Sequence, residues 1–404
     1  MVENLVYGAV LPVHDSNFGG EADRFTSLKQ VVSATKPSRP LYVLFPDLIE
    51  ATARHFVSVF PGETLYAIKT NPEPEVLDAV ARGGVQAYDV ASLEEIIRIK
   101  SRFPAAEIYF MHPIKAPEDI RRAYFDYGVR NFVLDCKEEL FKILRETDLA
   151  QDLKLFIRLA LPKNDSAMID FSSKFGAARA EAVQLLRETR NVAASLSLSF
   201  HVGTQTLDAC KYAAAIAYAA AIVRESGVRI DSLNVGGGFP VAYEGDENVC
   251  TVSDCVREIK DALAKEGWSD MPLLAEPGRV LVARGASLVT RVELRKHDML
   301  YINDGIYGGL FDACAWLGLR YPVKAISCDR AFDGETMDYR MAGPTCDSLD
   351  MMEGPFTLPA DIGIGDWVVF ENTGAYSVAM RSNFNGFGAY DTVCVYASDN
   401  NHQG

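Results

Sequence analysis

Leu65-Tyr66-Ala67-Ile68-Lys69-Thr70-Asn71 is an apolar run that ends on a lysine, and helix-period sequence follows it over residues 73–82. The same unit of apolar run, turn and amphipathic stretch then recurs down the chain. The later runs are residues 85–90, 108–112, 131–135, 155–160, 196–202, 233–235 and 272–276, with helical stretches such as 92–101, 117–127, 137–146, 177–188 and 208–226 between them. Short apolar runs without alternation, separated by helices, read as parallel strands buried on both faces and joined by right-handed crossovers. Such units fill roughly the 250 residues of a (β/α)8 barrel. A doubly wound open sheet is the competing arrangement. One more run, residues 41–45, is expected to lead into the barrel through a helix over 46–60, where Pro46 suits the first turn.

Past residue 280 the rhythm changes. Residues 287–294, 299–303, 323–327, 367–372 and 392–396 are β-rich with few helical stretches between them, which reads as a mostly antiparallel domain. The expected fold class is therefore α/β: a TIM barrel over residues 36–280 and a sandwich-like or barrel-like β domain over 281–404. Residues 1–35 are expected to join the second domain, with 6–13 adding a strand to it.

Composition narrows the function classes. The chain has 404 residues, 49% of them apolar, and its 40 Lys+Arg against 55 Asp+Glu leave a formal charge of −15. Nucleic acid and anionic membranes both call for a basic face, so neither is an expected partner, whereas a small cation suits this field. The Ala-rich run at 212–223 is too short to span a bilayer, and the first residues lack the basic start and apolar stretch of a signal peptide. The 8 Cys form no CxxC and no cluster, which points to free thiols in a reducing cytoplasm and to no metal site.

The polar residues on the apolar runs carry the chemistry. Lys69, Asp89, His112, Arg158, His201, the glycines Gly236-Gly237-Gly238 and Glu276 fall in or just after successive runs, nearly all at the C-terminal strand ends where barrel active sites are built. A single ionic residue there is usually just solvated; this many on one rim is not. A desolvated Lys69 could form a Schiff base with an aldehyde. The glycine run could close on a phosphate through its N–H groups, although alone it could equally be a tight turn. Glu276-Pro277-Gly278-Arg279 adds a carboxylate, which could keep a pyridine nitrogen protonated, and a guanidinium. An amine for an aldehyde, a phosphate cradle and a carboxylate for a ring nitrogen together describe pyridoxal 5'-phosphate (PLP). His201 alone could be a satisfied strand-end histidine, and His112-Pro113 reaches at most the rim.

Eight segments in order resemble one family. They are Tyr66-Ala67-Ile68-Lys69-Thr70-Asn71, Tyr88-Asp89-Val90-Ala91-Ser92, Phe200-His201-Val202-Gly203-Thr204-Gln205, Gly236-Gly237-Gly238-Phe239-Pro240, Glu276-Pro277-Gly278-Arg279, Asn303-Asp304-Gly305-Ile306-Tyr307-Gly308, Gly343-Pro344-Thr345-Cys346-Asp347-Ser348 and Glu371-Asn372-Thr373-Gly374-Ala375-Tyr376. This order is similar to that of the PLP-dependent decarboxylases of the alanine-racemase-like fold (fold type III), the ornithine/diaminopimelate decarboxylase group. The resemblance implies that Lys69 carries the cofactor, His201 stacks on its ring and Glu276 pairs with its ring nitrogen. It implies that Gly238, Arg279 and Tyr376, with Thr204 nearby, hold the phosphate, and that Gly236, Gly237 and Gly278 also bind the cofactor. Asp89, Glu95 and Arg158 would line the pocket and position Lys69. Cys346 would protonate the carbanion left when CO2 departs, a task that suits a thiol. Taken alone it could be inert packing, but Gly343-Pro344 before it and Asp347 after it make a polar turn.

The resemblance also implies a homodimer with shared active sites, in which Cys346, Asp347 and Tyr307 reach into the partner's barrel. The substrate implied is a basic L-amino acid, ornithine yielding putrescine for polyamine biosynthesis, with lysine, arginine or a related amino acid as alternatives. A racemase and a non-catalytic regulatory homologue are the competing classes. The distal pocket departs from the ornithine pattern. Asp347 keeps one expected carboxylate, but an ungapped count from Tyr307 puts Trp316 where the other belongs, and Asp312 is the only acid in that stretch.

Overall fold

The computed structural model describes residues 21–162, 174–246 and 249–397. The first described elements are helix α1 (Glu21–Thr35), strand β1 (Leu41–Leu44) and helix α2 (Pro46–Val59), which has proline in its first turn. The barrel follows. Its strands are β2 (Glu63–Ala67), β3 (Ala87–Val90), β4 (Glu107–Phe110), β5 (Asn131–Leu134), β6 (Lys154–Arg158), β7 (Ser195–Ser199), β8 (Ser232–Asn234) and β9 (Leu273–Ala275). All neighbours are parallel, and β2 pairs with β9 to close the ring, which excludes the open sheet. Helices α3 (Pro74–Arg82), α4 (Leu93–Arg102), α5 (Pro117–Phe125), α6 (Lys137–Glu146), α7 (Arg179–Arg190), α8 (Cys210–Ser226) and α9 (Val252–Lys265) connect the strands, and the short α10 (Arg279–Val282) follows the last one.

Strand parity explains both the core and the site. Leu65, Ala87, Tyr109, Met111, Val133, Phe156 and Leu274 form one cluster inside the barrel. Their neighbours Tyr66, Tyr88, Ile108, Phe132, Leu155 and Leu233 pack outward under the helices. Both faces are thus buried, which is why the runs are continuously apolar. Side chains two apart share a face. Asp89, Arg158 and Glu276 therefore lie on the inner side, one layer above Ala87, Phe156 and Leu274. Lys69 sits just past β2, in a one-turn 3-10 helix over Ile68–Thr70.

The second domain holds β10 (Ala286–Lys296), β11 (Met299–Ile302), β12 (Val323–Ile326), β13 (Thr336–Ala342), β14 (Met351–Pro359), β15 (Trp367–Glu371) and β16 (Asp391–Cys394). They run in the order β12-β15-β10-β11-β13-β14, and the pairings are antiparallel except for β11–β13 and β1–β16. As expected, residues 41–45 lead through α2 into the barrel. The strand itself is not part of the barrel domain expected to begin at residue 36: β1 pairs antiparallel with β10 and parallel with β16, so the second sheet takes a strand from before the barrel. Leu41 and Val43 bury one face against Val289, Trp367 and Val393, and α1 covers the same cluster with Leu28, Val31 and Val32, an i, i+3, i+4 stripe. The strand expected over residues 6–13 lies outside the described residues. Among the described residues no helix is long and apolar enough to cross a membrane.

Candidate active site

The barrel mouth opens into a cavity of about 380 Å³. Lys69 Nζ stands 3.4 Å from Asp89 Oδ2; the Lys69 side chain is half exposed towards the cavity, and Asp89 is buried. The Asp89 carboxylate holds the Lys69 ammonium above its ordinary range, against the pull of burial. Glu276 is buried just past β9, the strand beside β2, and its Oε1 accepts an N–H from Asn234 Nδ2 at 2.7 Å. Burial, with Asp89 close by, pushes the Glu276 carboxyl up to about 7, even though Arg158 and Lys69 oppose the shift. His201 Nδ1 accepts the Gly203 N–H at 3.1 Å, so the neutral ring carries its proton on Nε2. Burial and the cations Arg158 and Lys69 hold that ring well below the usual histidine range. Glu95 lies behind this wall and caps the Ala91 N–H at 2.6 Å.

The phosphate end is built from backbone. A Cβ on Gly237 would stand 2.6 Å from the Glu276 carbonyl oxygen and 3.1 Å from His201 Nε2, so a side chain there would close the space beside both. Gly238 has φ +98, a conformation side chains rarely adopt, and its carbonyl accepts the Thr206 N–H at 2.9 Å. Gln205 braces the loop with a reciprocal amide pair to Val241, at 2.8 and 3.0 Å. Arg279 is buried; Nη1 donates to the Tyr243 hydroxyl at 3.1 Å, and its guanidinium carbon lies 4.9 Å from the Tyr376 ring centroid. Its Nε is buried with no hydrogen-bond partner among the described residues.

Most of the residues anticipated from the sequence meet in this one cavity. Lys69, Asp89, Arg158, His201, Thr204, Gly237, Gly238, Glu276, Gly278, Arg279, Tyr376 and Asp312 line it. Gly236 stands behind, turning the chain at φ +69. The two residues considered for the distal pocket are placed differently. Asp312 reaches the cavity, but its Oδ2 is bound by Arg279 Nη2 at 2.7 Å. Trp316 does not line the cavity and is 60% exposed, its ring edge-on to Phe311. Cys346, Asp347 and Tyr307 also lie outside this cavity. Cys346 is exposed, with its Sγ 3.2 Å from Asn385 Oδ1, while the Tyr307 hydroxyl donates to Asp347 Oδ2 at 2.6 Å. His112 and Pro113 are among the lining residues, with His112 edge-on to Phe175. Asn234 and Tyr243 escape the sequence reading, and Gln205 enters it only within a matched segment, without a role. Of these Asn234 had a signal, a polar residue on a buried strand directly before the glycines.

The family model for the pyridoxal binding domain of the pyridoxal-dependent decarboxylases matches residues 47–283, the barrel with its site. The chain belongs to the pyridoxal-dependent decarboxylases. It is 30% identical over 380 residues to antizyme inhibitor 2 of Xenopus laevis, covering 88% of this chain and 81% of that protein. It is also 30% identical over 366 residues to the lysine/ornithine decarboxylase of Selenomonas ruminantium, covering 88% of this chain and 89% of that one. The solved arginine decarboxylase of Paramecium bursaria Chlorella virus, bound to agmatine, superposes with a TM-score of 0.80 at 27% identity, over 92% of this chain and 100% of that one. As a pyridoxal-dependent decarboxylase the chain uses PLP, and the cavity fits it. A glycine-lined recess, an orphaned buried guanidinium N–H, a buried carboxylate and a cavity-facing lysine match the phosphate, the ring nitrogen and the aldehyde of that cofactor.

Proposed function

We propose that this decarboxylase acts on a basic L-amino acid, ornithine to putrescine first, at a site completed by a second copy of the chain in the cytoplasm. The observation that carries this is the split between the cavity and the Cys346–Asp347 turn. The turn presents a thiol and a carboxylate, the donor set for a proton and for a distal cation, away from the chain's own cavity. Exposed Met380, Phe384, Phe387 and Leu349 supply apolar surface; Met380 lines the cavity and Phe387 lies by Asp347. Such surface, all on the second domain and reaching from the cavity to the turn, suits a protein–protein interface.

In this reading Lys69 Nζ anchors the cofactor, and Asp89 and Glu95 support its position. Glu276, held by Asn234, keeps a proton on the ring nitrogen, and neutral His201 packs on the ring without adding charge. When bound, PLP supplies the electron sink that lets the carboxylate leave as CO2. Cys346 Sγ of the partner subunit returns a proton to the substrate Cα, and Asp347 of the partner subunit holds the distal cation. The Leu349 N–H and the Tyr307 hydroxyl keep the Asp347 carboxylate below its usual range, so it stays charged. Asp312, already paired with Arg279, and Trp316, exposed, leave room for a second reading with a longer or bulkier distal group, as in lysine or arginine.

The intact lysine, glycine cradle, Arg279 and Tyr376 support an enzyme over a non-catalytic homologue, and the Cys346 turn supports decarboxylation over racemisation. The test is CO2 release from purified protein with L-ornithine, L-lysine, L-arginine and diaminopimelate. We expect the highest kcat/KM on ornithine. Activity on diaminopimelate alone, or on none of the four, would contradict the reading.

A further inference from the structure

Arg279 and Asp312 come from different domains and meet at the cavity wall. Arg279 opens α10 directly after the last barrel strand, and Asp312 lies in the 3-10 turn Phe311–Ala313 of the second domain. Their side chains are 8% and 9% exposed, and the Nη2–Oδ2 distance is 2.7 Å. Tyr243 takes Nη1, which leaves the buried Nε as a donor with no partner among the described residues. The guanidinium is therefore fixed and neutralised from the second domain, with its buried Nε–H unpaired among the described residues.

We propose that Asp312 is the resident counter-ion of Arg279 and not a substrate ligand, and that the cofactor phosphate competes with it for the guanidinium. The inference rests on reading Arg279 as a phosphate ligand. Two effects oppose each other when the carboxylate is removed. Losing one anchor on a long side chain weakens binding by roughly two- to tenfold. Leaving a buried charge unpaired is worth roughly a hundredfold or more, and an arriving anion recovers it. The second effect is larger, so the variant apoprotein is less stable and binds anions more tightly. The coupling also links phosphate occupancy to the turn that carries Phe311, which lines the cavity beside Asp312.

The test compares wild type with Asp312→Asn as apoproteins, by thermal unfolding with and without inorganic phosphate and by titration with PLP and with pyridoxal. We expect the variant to melt lower, to regain more on adding phosphate than wild type does, and to bind PLP about tenfold more tightly. Pyridoxal affinity should stay within twofold, as should KM for the amino acid at saturating PLP. A tenfold rise in KM with unchanged anion binding would make Asp312 a substrate ligand and overturn the proposal. A variant folded only with phosphate present shows the predicted dependence at its extreme; one that neither phosphate nor PLP rescues contradicts it. Arg279→Met separates the two failures. If it leaves phosphate affinity unchanged, the phosphate reading of Arg279 falls and the counter-ion role with it. If it lowers affinity while wild type and Asp312→Asn respond alike, only the counter-ion role falls.

Discussion

The barrel mouth and the turn over residues 343–350 are both tightly built, yet they treat their reactive groups in opposite ways. At the mouth Asp89, Glu276 and Arg279 are buried, and each meets a named partner in the same chain. In the turn the scaffold is equally firm. Asp350 is 2% exposed, and its carboxylate accepts from Ile306 N at 2.9 Å, Thr345 N at 3.0 Å and Thr345 Oγ1 at 2.7 Å. Buried Asp304 and Arg381 pair beneath the Tyr307 segment. That scaffold leaves Cys346 exposed and Asp347 partly exposed, outside the chain's own cavity. A thiol gains little as an acid in bulk water, and a carboxylate recognises a cation best when water is excluded. The mouth thus needs only its cofactor, while the turn needs a surface to close over it.

Separating the two regions by mutation sharpens this contrast, and the largest effect is expected from the turn. Cys346→Ala should lower kcat by roughly 10²–10⁴, the usual worth of a positioned acid, and leave PLP affinity unchanged, because Cys346 is not part of the cofactor cavity. Steady-state kinetics beside a cofactor titration check this; a parallel loss of PLP binding would erase the distinction between the regions.

A smaller effect is expected at the mouth, as a pH dependence of apoprotein stability. Glu276 holds its proton up to about pH 7 in the folded chain, against about 4.3 when unfolded. The folded state therefore binds more protons between those values, and its stability falls as pH rises through them. At about 1.4 kcal/mol per pKa unit, Glu276→Gln should gain on the order of a few kcal/mol relative to wild type on going from pH 4.5 to pH 8. Urea unfolding of both apoproteins at the two pH values measures the difference; equal slopes would mean that Glu276 is not desolvated.

Much of the mouth is legible in the sequence because strand period alone aims residues two apart at the same side. Given Ala87, Phe156 and Leu274 inside, Asp89, Arg158 and Glu276 must follow. The second domain is harder to read. β1 is four fully buried residues, a pattern that suits either sheet, and its partners Ala286–Lys296 and Asp391–Cys394 lie far along the chain. β13 and β14 are not singled out by an apolar run, since Thr336–Ala342 is half polar and Met351–Pro359 carries Gly354 and Pro355. α9 begins with a capping box at Thr251 and Asp254, a signal that apolar period does not register. Asp312 shows a different limit: counting along the chain can propose a carboxylate for a cation, but only the fold reveals that a guanidinium already holds it.

The central claim is that one working site takes its lysine from one copy and its thiol from another. Mixing Lys69→Ala with Cys346→Ala protein tests it most directly. Each variant alone should be inactive. After subunit exchange about half the dimers are mixed, and each holds one intact site, so about a quarter of wild-type activity should return. A mixture that stays inactive although tagged subunits demonstrably exchange would contradict the shared site.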